Sequence, residues 1–79
     1  MFLSTEEKIN RLIEETLGID ASQLRPEMDL GEDLLADSLD LIEIVMGIED
    51  EFSVEIFDEV AEKMHTVGDL YNFRELMKS

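Results

Sequence analysis

The sequence predicts an all-α fold, a small four-helix bundle of three longer helices and one short one. Three observations carry this expectation. Apolar residues recur at helical spacing in separate stretches, and a capping pattern opens each of the longer ones. Glycine and proline fall between those stretches and stop them. Hydrophobic residues make up 44% of the 79-residue chain with regular spacing, which argues for a packed core despite the acidity discussed below. At this length the expectation is a single domain, residues 1–79, without room for a deep, many-layered active site.

Ser4-Thr5-Glu6-Glu7 fits a capping box, with Ser4 as N-cap and Glu7 three residues on. Ile9, Leu12, Ile13, Thr16 and Leu17 then keep helical spacing, and Gly18 supplies a stop. The first helix is expected over 5–17. From Ile19 to Ala36 the pattern breaks, with room for one turn at Asp20-Ala21-Ser22-Gln23 and a barrier to helix at Arg25-Pro26. Leu24, Met28, Leu30 and Leu34 are the anchors of this long loop, and so long a connection is uncommon unless functional or packed by its own side chains. Its acids invite comparison with an EF-hand. The comparison fails, because Leu34 stands where that loop needs glycine and Gly31 stands at the third ligand position.

The second helix is expected over 38–52, with Asp37 as N-cap, Ser38 in the first helical position and Asp40 in the third. Leu41, Ile44, Val45, Ile48 and Phe52 share one arc and face the core. Leu39, Ile42 and Met46 fall in a different arc, flanked by Glu43 and Asp50 on one side and Glu49 on the other. A surface helix with a second apolar stripe framed by acids reads as an interface core with its polar rim. That stripe begins beside Ser38.

After Phe52, residues 53–57 read as an extended connector with Ile56 as its inward anchor. Asp58 is expected to cap a short third helix, Glu59 to Lys63, leaning on Val60, Ala61 and Met64. Thr66-Val67-Gly68-Asp69 gives another capping arrangement for a fourth helix that runs to Met77, with Val67, Leu70, Phe73 and Met77 on one face and Tyr71 alongside.

Twenty-one acids against six bases give a net charge of −15. No base lies between Pro26 and Glu62, an interval that holds fourteen of the acids. Such a face excludes nucleic acid and anionic membrane as partners and suits proteins with basic patches. No basic-then-apolar leader opens the sequence and no apolar run approaches the roughly 18 residues of a bilayer span, so the expectation is a cytoplasmic protein without membrane insertion.

Ser38 lacks the partners of a nucleophile. The chain has one histidine, His65, and Ser38 sits in Ala-Asp-Ser-Leu-Asp instead of a Gly-x-Ser-x-Gly elbow. One histidine and no cysteine leave no metal set beyond hard oxygen ligands. The chain is therefore not expected to be an enzyme. A serine that is acted upon needs only exposure, a rigid mount and a recognisable surface. A phosphodiester there would meet the favourable end of the helix dipole, opposed by Asp37 and Asp40, and would stay solvated and mobile.

Asp37-Ser38-Leu39-Asp40, the following Leu41-Ile42-Glu43-Ile44-Val45-Met46 and Glu49-Asp50-Glu51-Phe52 closely resemble the acyl carrier proteins of dissociated fatty acid synthases. Glu55-Ile56-Phe57-Asp58-Glu59 and Thr66-Val67-Gly68-Asp69-Leu70 fit the same pattern, so the resemblance spans essentially the whole chain. It implies a non-catalytic, monomeric carrier whose Ser38 bears 4′-phosphopantetheine, with acyl groups held as thioesters on that arm. It implies as partners a phosphopantetheinyl transferase and acyl-processing enzymes whose basic docking patches meet Asp37, Leu39, Asp40, Ile42, Glu43, Met46, Glu49, Asp50 and Ile56. It also implies an acyl cavity lined by Leu30, Val45, Ile48, Ile56, Ala61 and Leu70, each equally explicable as core. The alternatives are an acidic helical adaptor that binds a basic partner through the second stripe, or a specialised polyketide or other thioester carrier.

Three residues depart from the family's pattern. Leu35 stands where glycine usually precedes Ala-Asp-Ser, so either the turn does not need positive φ or its geometry differs. Phe57 replaces a common proline at the start of the third helix, and Arg74 stands where an apolar residue usually completes the last one.

Overall fold

Both long helices begin and end where their caps place them. In a computed structural model, which describes residues 3–78, α1 spans Thr5–Leu17 and α2 spans Ser38–Phe52. At the start of α1, Ser4 Oγ accepts the Glu7 N–H at 3.1 Å and Glu7 Oε1 accepts the Ser4 N–H at 2.9 Å, the reciprocal pair that satisfies two orphan donors. These bonds from Ser4 hold the Glu7 carboxyl below its ordinary pKa. Gly18 ends the helix at φ +71°, a left-handed position that glycine takes without strain. Ile9 and Ile13 are fully buried in the core, and α1 packs chiefly against α2. The two long helices meet at Gly47, where an added Cβ would stand 2.8 Å from Leu12 Cδ2 and the Leu12 side chain would have to shift.

The connection between α1 and α2 is ordered by hydrogen bonds instead of regular structure. Asp20 caps a single 3₁₀ turn, Ala21–Gln23, by accepting the Ser22 N–H at 2.8 Å, and Glu14 Oε2 reaches over from α1 to the Ala21 N–H at 2.8 Å. Asp29 Oδ2 accepts the N–H groups of Gly31 and Glu32, while Asp33 Oδ2 accepts that of Asp29. Asp20, Asp29 and Asp33 are thus turned onto the loop's own backbone, while Glu27 and Glu32 stay exposed. Leu30 and Leu34 are buried, and Leu24 and Met28 half-buried, as the anchor pattern predicts.

The C-terminal third differs from expectation in two places. The short helix, α3, spans Asp58–Ala61 with Phe57 as N-cap, not Asp58. The Phe57 carbonyl accepts from Val60 and Ala61, so the helix starts one residue early and runs out into turns through Met64. The expected fourth helix is two short ones, α4 (Val67–Tyr71) and α5 (Phe73–Met77), broken at Asn72. Asparagine is a weak helix former whose side chain competes with the backbone, and its φ −99°, ψ 24° leaves the helical region. Two helices are therefore long, not three. The apolar face survives the break: Val67, Leu70 and Phe73 are all buried.

Pairing across the fold ties the loop to α4. Met28 O accepts the Val67 N–H, Pro26 O accepts the Gly68 N–H and His65 O accepts the Leu30 N–H, at 3.0, 2.8 and 2.8 Å. Asp29 and Thr66 form an isolated antiparallel bridge in the middle of this seam, and there is no strand among the described residues. At the far end, the Phe52 and Phe73 rings pack with centroids 5.0 Å apart. The Arg74 guanidinium lies 5.1 and 5.0 Å from those two centroids and Lys8 Nζ lies 5.5 Å from that of Phe52. Arg74 thus covers apolar surface with its stem and the ring faces with its charge.

Candidate functional site

Ser38 is fixed from both directions and its hydroxyl is left outside. Behind it, Leu30 and Leu34 sit in the core, Asp29 O accepts the Leu34 N–H at 3.2 Å, and Leu30 O accepts the Ala36 N–H at 2.9 Å. Ahead of it, Asp37 Oδ1 accepts the Asp40 N–H at 2.9 Å and Asp40 Oδ2 accepts the Asp37 N–H at 3.1 Å. The expected cap is therefore a full reciprocal box, with Asp40 in the part usually played by glutamate. Ser38 itself is the first residue of α2 and is exposed. The mount also contains Leu35, whose backbone adopts φ +60° and whose side chain is 79% exposed. The first alternative raised by the missing glycine fails: the turn takes positive φ here, and leucine adopts it.

The second stripe on α2 stands in solvent, with Leu39, Ile42 and Met46 exposed by 70%, 54% and 55%. Asp37, Glu43 and Asp50 are exposed around it, and Asp40 is half-buried in the cap. Glu49 is placed differently from a free rim residue: its Oε2 accepts the Ile56 N–H at 2.8 Å and fixes the connector after α2. Ile56 is only 7% exposed. Its position suits a wall between helices far better than a contact surface.

That wall belongs to a pocket of about 210 Å³ between α2, α3, α4 and the loop. Of the six residues expected around a cavity, Leu30, Val45, Ile56, Ala61 and Leu70 line it. Ile48 does not; it is fully buried on the next turn of α2, further into the core. Sequence reasoning missed Leu41, Ile44 and Met64 as lining residues; Leu41 and Ile44 share a helical arc with Val45, but so does Ile48, so the arc alone does not single them out. Ile42 and Met46 line the pocket as well as standing exposed, so its mouth opens onto the second stripe. Glu49 and Asp58 complete the lining as its carboxylates.

His65 is exposed and serves the fold through its backbone, donating its N–H to Asp69 Oδ2 and accepting from Leu30. The fold and site together fit a carrier: a helical body with an exposed serine at the start of α2 and an apolar recess beside that helix. The chain belongs to the phosphopantetheine attachment site family, whose profile matches residues 7–73, and within it to the acyl carrier proteins. Its structure superposes on a proposed acyl carrier protein from Mycobacterium tuberculosis with a TM-score of 0.85 at 34% identity, over 94% of this chain and 99% of that one. It superposes on the acyl carrier protein of Enterococcus faecalis with a TM-score of 0.74 at 38% identity, over 87% of each chain. The protein is a carrier and not a catalyst, its cofactor is phosphopantetheine, and a transferase and acyl-processing enzymes are the partners of its family. No helix among the described residues is long and apolar enough to cross a membrane.

Proposed function

We propose that Ser38 carries the phosphopantetheine arm as a phosphodiester and that the chain delivers acyl groups to the enzymes of fatty acid or related biosynthesis. One observation carries this reading. Leu41 and Ile42 stand three and four residues after Ser38, on its side of the helix, and both line the pocket. The attachment serine and the mouth of the apolar recess thus share one face of α2. The residues fit the group: the hydroxyl is exposed, and the Asp37–Asp40 box keeps the serine on a fixed first turn. When bound, the arm supplies the thiol that this cysteine-free chain lacks, so that acyl groups are held as thioesters.

The chain's own residues do the rest. Leu30, Val45, Ile56, Ala61 and Leu70 wall an apolar space that shields an acyl chain from water. Glu43, Asp50 and the cap acids surround the stripe with negative charge for partner enzymes with basic patches. We read the chain as a single carrier domain, monomeric and cytoplasmic.

Co-expression with a phosphopantetheinyl transferase tests the reading directly. Intact mass should show one added phosphopantetheine, and Ser38→Ala should abolish it. A wild-type protein that stays unmodified with several transferases would overturn the proposal and leave the acidic adaptor in its place.

A further inference from the structure

Five large hydrophobic side chains stand exposed among the described residues: Leu35, Leu39, Ile42, Met46 and Phe57. All five fall inside the stretch between Pro26 and Glu62, which holds no basic residue. Three of them form the stripe on α2. The other two, at its ends in sequence, share a physical signature that the stripe does not have.

Leu35 occupies a left-handed backbone position, φ +60°, where its Cβ crowds the carbonyl and glycine would be unstrained. Its side chain returns nothing to the fold, being 79% exposed. Phe57 is the N-cap of α3 and makes no side-chain cap bond, in a position where Ser, Thr, Asp or Asn would satisfy a backbone donor. It too is 63% exposed, between Ile56 and Asp58, which line the pocket. Each residue is locally unfavourable and each offers an apolar side chain to solvent. Non-glycine residues held at positive φ cluster at functional sites, and an uncapped helix start forgoes stability that a polar residue would supply.

We propose that Leu35 and Phe57 extend the α2 stripe into a five-residue apolar docking face and determine which partners this carrier accepts. The occupant is an enzyme surface with an apolar recess for Leu35 beside the arm's entrance, a second for Phe57 beside the pocket mouth, and a border of Lys and Arg. Charge complementarity fixes the border, since residues 26–62 hold fourteen acids and no base. The apolar centre supplies the holding energy and its shape the discrimination.

This inference rests on the carrier reading, and its test separates the two. Wild type, Leu35→Gly, Phe57→Ser and the double variant are loaded by a broad-specificity phosphopantetheinyl transferase and given the same acyl group. They are then offered to the condensing enzymes and acyltransferases of the source organism. For the double variant KM should rise by about tenfold or more with kcat unchanged, the effect of withdrawing one to two buried side chains from an interface. Its melting temperature should stay level or rise, because glycine relieves the positive φ and serine is a good N-cap. An unchanged KM overturns the inference, and so does a melting temperature that falls along with the affinity, which would place both side chains in the fold's own packing. A wild type that accepts no arm fails earlier, at loading, and takes the carrier reading with it.

Discussion

If the pocket is where the acyl chain rests, stability must depend on acyl length and then stop depending on it. Apolar cavities of about 150 Å³ take up benzene, so the 210 Å³ recess holds about eight carbons by proportion. Going from acetyl to octanoyl adds about six methylenes, each worth about 0.8 kcal/mol when buried, or about 5 kcal/mol in all. Ordering the chain costs about 0.5 kcal/mol per torsion, about 3 kcal/mol in total, judged from the losses of long side chains. A net gain of about 2 kcal/mol remains. For a chain of 79 residues that corresponds to a rise of about 12 °C in Tm. The assay is a calorimetric series over holo-protein loaded with saturated acyl groups of increasing length. Tm should climb to about eight carbons and then level. Replacing Ala61, which lines the pocket, with leucine should move the plateau to shorter chains. A Tm independent of length from acetyl to octanoyl would refute the assignment, as would a plateau that ignores Ala61→Leu.

Three further predictions concern the scaffold. Glu49→Ala should destabilise by about 1–3 kcal/mol in urea because the Ile56 N–H loses its acceptor, whereas Glu49→Gln, which keeps an oxygen there, should cost less than about 1 kcal/mol. Tyr71 donates to Asn10 Oδ1 at 2.6 Å, and burial pushes its pKa above the ordinary 10.0 against the lowering effect of that bond. A raised value favours the neutral phenol in the fold, so its contribution is complete below pH 10 and is lost as pH rises through the folded value. Tyr71→Phe should therefore cost about 1 kcal/mol at neutral pH, and its thermal melts should lose stability less steeply than wild type in alkali. Finally, with a net charge of −15, a Lys8–Glu51 pair only at 4.0 Å and an exposed Lys78–Glu75 pair contributing little, added salt or magnesium should raise Tm. A flat response would mean that the acids are better paired than their number implies.

The parts of this fold that were legible in the sequence are those written locally. Ser4 with Glu7, Asp37 with Asp40 and Thr66 with Asp69 are separated by three residues each, and all three form reciprocal capping boxes. The bounds of α1 and α2 follow from them. Ser38 on the first turn and the exposed second stripe were legible for the same reason, being set by helical spacing. The break at Asn72 was not, because the face it interrupts continues unbroken through Phe73. Nor was the start of α3, where an aspartate suited to capping stands one residue inside the helix that begins at Phe57. The pocket was legible only by resemblance. Ile48 and Ile44 share an arc on α2, and only the packing of α3 and α4 decides that Ile44 lines the space and Ile48 does not. The seam from Pro26–Leu30 to His65–Gly68 had no signal at all, since main-chain groups about forty residues apart leave no pattern in side chains.

That seam has a consequence for how such a carrier can change. Carbonyls and amides do the joining of the loop to α4, so the join is indifferent to most of the side chains it displays. Gly68 is constrained by it, since a Cβ there would meet Pro26 O at 3.0 Å, and Leu30 and Val67 are held by the core. Mutation can therefore rewrite the outward face around Ser38 while the frame beneath keeps its shape. A lineage could trade one set of client enzymes for another without passing through an unfolded intermediate.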